Sequence, residues 1–163
     1  FFSYICNAMR TILLTITIIL IIAFSGCRPA MTAPDFYMEN REGQKVSLKE
    51  IDSKYTLLYL NDIDCEDCHS VSDSLKNSIT INDATQSGKL TILSVYVGEN
   101  KVQWKERNPI SCRIECIDEK MSVFNQTDYI YETFPALFLL DNKKRFIFQN
   151  TSVSQLVDFL KKR

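Results

Sequence analysis

Cys65-Glu66-Asp67-Cys68 sets two thiols two residues apart in an acidic stretch. That spacing suits disulfide exchange: one thiolate attacks a substrate disulfide, and the second thiol resolves the mixed disulfide that results. If the pair opens a helix, the first sulfur lies at the positive end of the helix dipole, which favours its thiolate. The second then sits one turn inside and less exposed. Cys65 is the expected nucleophile and Cys68 the resolving thiol. Other chemistries use the same letters. With His69, the only histidine, the motif spells Cys-x-x-Cys-His, the attachment signature of a c-type haem, with a methionine such as Met121 opposite. Cys65, Cys68, His69 and the nearby acids could hold a soft metal. A redox-inactive binding module, in which the pair is a structural disulfide, is the remaining reading.

The elements around the pair must carry it. Tyr55-Thr56-Leu57-Leu58-Tyr59-Leu60 is an apolar, β-rich run and predicts a buried strand. From Glu66 to about Asn82, Val71, Leu75 and Ile79 recur at spacing four and predict a helix lying on a sheet. Leu90–Val97, Ala136–Leu140 and Arg145–Gln149 predict further strands, with Ile117–Gln126 as a helix that turns Met121 and Phe124 inward. Phe36-Tyr37-Met38 and Lys45–Leu48 flank a Gly43 turn and read as a hairpin. Ser152-x-x-Gln155 is a capping box that starts a last helix with Val153, Leu156, Val157 and Leu160 on one face. The order predicts a layered α/β domain: a mixed central sheet flanked by helices, with an N-terminal β-hairpin. At 163 residues and 45% apolar content the chain fits one such domain with a short extra segment. Its 19 Lys and Arg against 20 Asp and Glu argue against nucleic acid as a partner.

The extra segment is N-terminal. Thr11–Phe24 is an unbroken run of apolar residues and Thr, preceded by Arg10 and followed by Ser25-Gly26. As a helix it spans roughly 20 Å, short of a ~30 Å hydrocarbon core, so the layout is that of a secretory signal. Phe24-Ser25-Gly26-Cys27 resembles the lipobox of bacterial lipoproteins, departing from it at Phe24. The expected organisation is a signal peptide over 1–26, with 1–8 an over-extended start, then Cys27 as the lipidated residue with a tether over 27–34, and a folded domain over 35–163. A plain membrane anchor is the alternative. Export leaves Cys65, Cys68, Cys112 and Cys116 in an oxidising cell-envelope compartment, expected to be the periplasm, where disulfides persist.

The mature chain resembles the TlpA/ResA-like thiol–disulfide oxidoreductases of the thioredoxin superfamily. The resemblance runs through Ala33-Pro34-Asp35-Phe36, Gly43-Gln44-Lys45-Val46-Ser47-Leu48, the strand into Cys65 and Cys68, and Thr133-Phe134-Pro135-Ala136 followed by Leu137–Asp141. It implies a thioredoxin-like fold and a cis Pro135 facing the cysteine pair. It also implies that the backbone of Phe134 pairs with a substrate chain. Disulfide-bearing exported proteins are the implied substrates, an integral membrane thiol carrier is the implied electron donor, and no cofactor is required.

Two departures matter. Asp64 stands before the first cysteine, where the family has a large group, and Tyr59 stands where many relatives have an acid or Asn. Asp62, Asp64, Glu66 and Asp67 crowd the motif, and negative charge disfavours a thiolate. A destabilised thiolate favours the disulfide, so a reductant is expected, near or below thioredoxin's ~−270 mV. Cys112 and Cys116, spaced Cys-x-x-x-Cys in a loop or helix start, leave three readings: a local second disulfide, a second redox pair relaying electrons to the first, or free thiols. Trp104 is expected in the core or in a lid beside the site.

Overall fold

Residues 31–109 and 113–163 are described by the structure, a computed structural model. Cys27, Cys112 and the Thr11–Phe24 stretch lie outside them. No helix among the described residues is long and apolar enough to cross a membrane.

The expected hairpin forms from β1 (Tyr37–Asn40) and β2 (Lys45–Ser47), antiparallel with Met38 opposite Val46. The turn needs a left-handed residue, and Gly43 supplies it at φ +82°. The next strands are β3 (Tyr55–Asn61) and β4 (Leu90–Val97), which run parallel with Leu57 beside Ile92. β5 (Arg113–Asp118) continues the parallel set beside β4. β6 (Ala136–Asp141) runs antiparallel to β3, and β7 (Phe146–Phe148) closes that edge. The seven strands lie in the order β2-β1-β5-β4-β3-β6-β7. The central strands are unbroken apolar runs because both of their faces are covered.

Helices cover one face. α1 (Glu66–Asn77), α2 (Ile79–Gln86) and α4 (Val153–Lys161) set Leu75, Ile81, Leu156 and Leu160 against Leu57, Ile92 and Leu139. A short α3 (Lys101–Glu106) precedes α4 in the chain. Among the described residues the other face carries no long helix. There Phe36, Met38, Leu48, Val123 and Tyr129 pack on Leu58, Leu60, Val95 and Phe138. The expected mixed sheet with flanking helices and an N-terminal hairpin is the fold observed.

Three local expectations are corrected. The helix after Cys65 is two helices, because Ser78 is extended and its hydroxyl accepts from the Ile81 amide, restarting the chain as α2. Ile79 consequently leaves the apolar stripe and is 77% exposed. The predicted helix over Ile117–Gln126 is instead the end of β5 and a 3-10 turn, Ser122–Asn125. Buried Asp118 caps that turn, accepting from the Ser122 hydroxyl and the Val123 amide, so Val123 points inward and Phe124 outward. Cys116, expected in a loop or helix start, lies in β5 as a free and fully buried thiol. The compact unit runs from Met31 to Arg163. Ala33 is buried and its amide donates to the Lys144 carbonyl at 2.8 Å.

Burial pushes the Cys116 thiol up to about 12 from 9.0, with Glu42 and Glu115 adding in the same direction. The neutral thiol is the form that fits the core. Its contribution to stability is full below pH 9 and is lost as pH rises toward 12. Urea midpoints should therefore fall between pH 8 and pH 11, and the fall should be smaller in Cys116→Val. At pH 8 the native thiol should resist alkylation and react only in denaturant. Rapid native labelling, seen by mass spectrometry, would contradict this.

Candidate active site

β3 delivers the chain to the site. Past Asn61, the Asp62 side chain accepts from the Asp64 amide at 3.1 Å, turning the backbone toward α1. Cys65 is the N-cap of α1, and its Sγ accepts from the Cys68 amide at 3.1 Å. A sulfur thus occupies the place where Ser or Asp oxygens usually satisfy the first free N–H groups of a helix. Cys65 and Cys68 are joined as a disulfide with Cα atoms 5.2 Å apart. Cys65 is half-exposed, whereas Cys68 is 3% exposed. One sulfur can meet an incoming disulfide and the other can act only from within.

The two sides of the pair differ in charge. Asp64, Glu66 and Asp67 are exposed on the outer side, with Asp62 half-buried beside them. On the inner side the Tyr59 hydroxyl donates to the Cys68 carbonyl at 2.6 Å. Burial holds that hydroxyl at about 12, and the charges of Arg113 and Arg107 pull it partly back. Arg113 donates to the Ser72 carbonyl at 2.8 Å and to its hydroxyl at 3.0 Å, tying β5 to α1 one turn beyond Cys68. Arg107, at the end of α3, donates to the Ile63 carbonyl at 3.2 Å. His69 Nε2 lies 3.0 Å from the same carbonyl and 3.3 Å from Arg107. One nitrogen cannot both donate to the carbonyl and accept from the guanidinium, so the tautomer selects between the two.

A polar cavity of about 380 Å³ lies behind Cys68, lined among others by Tyr59, Asn61, Ser94, Trp104 and Glu115. The strand register explains it. Tyr59 pairs with Ser94, and Ser94 with Glu115, so a polar row crosses three adjacent strands. Arg41 closes the row with a 2.6 Å ion pair to Glu115 and lies over the Trp104 ring at 5.1 Å. Trp104 is both core and wall: it is 5% exposed, packs with Ile63, Tyr96 and Ile117, and lines the cavity.

Across from the pair, the Phe134–Pro135 bond is cis and leads into β6. Ala136 pairs with Leu60, so continuing the register backward sets Pro135 and Phe134 beside the turn that carries Cys65. Phe134 is half-buried and stacks on Tyr131, with centroids 5.9 Å apart. The structure thus gathers Asp62, Asp64, Cys65, Glu66, Asp67, Cys68, Phe134 and Pro135 at one end of the sheet. Cys116 does not join them; it packs in the core of the opposite face with Leu93 and Val97. Sequence reasoning missed the roles of Arg107, Arg113 and Tyr131. The alternation Arg113, Glu115, Ile117 along one face of β5 carried a signal for Arg113; for Arg107 there was none.

No family model and no curated protein match this sequence. Solved structures do. The C-terminal domain of an uncharacterized protein from Bacteroides fragilis is 27% identical with a TM-score of 0.76, covering 82% of this chain and 97% of that one. A thioredoxin-like protein from Bacteroides caccae is 24% identical with a TM-score of 0.76, covering 83% of this chain and 50% of that one. The thioredoxin domain of a thiol-disulfide oxidoreductase from Bacteroides vulgatus is 18% identical with a TM-score of 0.65, covering 84% of this chain and 98% of that one. The fold is thioredoxin-like, and its structural neighbours include proteins named as thiol–disulfide oxidoreductases.

Proposed function

We propose that this chain is a membrane-anchored, extracytoplasmic thiol–disulfide oxidoreductase of TlpA-like type that reduces disulfides in other exported proteins. The observation that carries the reading is the half-exposed Cys65 bonded to buried Cys68 at a helix N-terminus, beside a cis Phe134–Pro135. In the reduced protein the Cys65 thiolate attacks one sulfur of the client disulfide. A Cys65–client bond forms and the client's other sulfur leaves as a thiolate. Cys68, deprotonated, then attacks Cys65 Sγ, releasing the second client thiolate and closing the Cys65–Cys68 disulfide. Two electrons pass to the client, and a membrane thiol carrier returns them. Cys27 is the proposed lipid attachment, and the cell envelope, facing the periplasm, the proposed location.

The carboxylates on the Cys65 side support a reductant. Equilibrating the pair in a thiol redox buffer should give a midpoint near or below about −270 mV. A midpoint above roughly −180 mV would overturn the reductant assignment, and a pair that does not exchange at all would overturn the activity.

A further inference from the structure

Three rings form a surface beside the disulfide. Phe124, Tyr131 and Phe134 sit at the corners of a triangle with centroid separations of 6.1, 6.0 and 5.9 Å. Their planes lie within 36° of one another, and Phe124 is 53% exposed. An isolated exposed ring is ordinary, but contiguous rings beside a reactive group mark a contact surface. The triangle arises where β3, β4 and β5 all end, the side of an open α/β sheet at which ligands gather.

The two segments that form this surface carry charge of one sign. Segments 61–75 and 121–142, which carry the disulfide and the rings, contain acids and no Lys or Arg, although the whole chain is almost balanced. Asp64, Glu66 and Asp67 are exposed on the disulfide side, and Glu132 is exposed between Tyr131 and Phe134. None of these four has an ion-pair partner among the described residues. Arg107 and Arg113 lie on the inner side of the pair, held at Ile63, His69 and Ser72, and neither forms an ion pair with these four among the described residues.

We propose that this face selects its client by chemistry: an extended polypeptide whose disulfide cysteine is flanked by basic residues and by an aromatic or aliphatic side chain. The apolar side chain covers Phe124 and Phe134. The basic side chains meet the unpaired carboxylates and can lie over exposed ring faces. A small disulfide would reach Cys65 without touching the triangle, so the selectivity belongs to polypeptides. The inference rests on the exchange activity proposed above.

The test uses the full chain, reduced and purified in detergent, in single-turnover reactions with hydroxyethyl disulfide and three cyclic peptide disulfides of equal length. The peptides differ only in the residues flanking one cysteine: Lys and Phe, Glu and Phe, or Lys and Gly. At about 10 mM ionic strength the Lys–Phe peptide should react roughly tenfold faster than the Glu–Phe peptide. The two should converge within about twofold near 1 M, as the Debye length falls from about 30 to 3 Å. Lys–Phe should exceed Lys–Gly about fivefold; Phe124→Ala should erase that ratio and Phe124→Tyr should keep it. Equal rates for the basic and acidic peptides, or a Phe-to-Gly ratio unmoved by Phe124→Ala, would overturn the proposal while leaving exchange intact. So would a dimer dissolved by Phe124→Ala, which would assign the surface to a second copy of the chain. Failure to reduce hydroxyethyl disulfide would overturn the exchange activity itself, and this selectivity with it.

Discussion

Cys68→Ser should turn the protein into a trap that accumulates mixed disulfides through Cys65. The two sulfurs differ in access: Cys65 is half-exposed at the helix N-cap, and Cys68 is 3% exposed behind it. Removing the inner sulfur leaves the first attack possible and the second impossible, because a hydroxyl does not displace a thiolate from a disulfide under these conditions. Mass spectra of non-reduced conjugates isolated from cell envelopes should list client peptides joined to Cys65. Cys65→Ser should do the opposite. The remaining thiol is buried and has no route to a client, so reduction should fall by at least roughly 10³-fold, as for loss of an enzymic nucleophile. Conjugates forming through Cys68 in that variant would reverse the assignment of the two roles. An empty trap in Cys68→Ser would weigh against exchange altogether.

The second large effect falls on stability. Phe138 is fully buried in β6 and touches Tyr129 at 5.3 Å, Phe146 at 5.9 Å and Tyr131 at 6.1 Å. Phe138→Ala should cost about 3–5 kcal/mol, from lost transfer energy plus a cavity that stiff rings cannot refill. Against a total of about 5–15 kcal/mol for a domain, that leaves the fold close to its limit. Phe138→Leu keeps most of the volume and should cost nearer 1–1.5 kcal/mol. Urea unfolding followed by circular dichroism measures both. A shift below about 1 kcal/mol for the alanine variant would mean that the rings repack, contrary to this account. The loss should also reach the site. Tyr131 rests on Phe138, and Phe134 rests on Tyr131, so the folded fraction should lose reactivity toward peptide disulfides more than toward hydroxyethyl disulfide.

Much of this arrangement was legible in the sequence because it is local. Tyr55–Leu60, Leu90–Val97 and Ala136–Leu140 read as strands since burial on both faces makes them unbroken apolar runs. Gly43, Ser152 and Gln155 marked their turn and cap by chemistry that acts within four residues. What failed was decided by distant partners. Ile117 looked helical beside Met121 and Phe124, yet β5 gains pairing from β4 and from Glu39 of β1, contacts with no trace in the local pattern. Ile79 fitted the α1 stripe until Ser78, a competent cap, restarted the helix. At the site, the disulfide, its acids and Pro135 were legible from their motifs. Arg107 and Arg113 were not, because they approach from α3 and β5, more than thirty residues along the chain from the groups they hold.

The pairing of Ala33 with Lys144, and of the Phe146 amide with the Met31 carbonyl, gives the domain a direction. These bonds fasten the start of the folded unit to the turn after β6, whereas the start of β6 faces the disulfide. One strand of six residues separates the two, a span of roughly 17–20 Å at 3.3 Å per residue. A force applied to the chain at Met31 would therefore load the end of β6 away from the reactive sulfur.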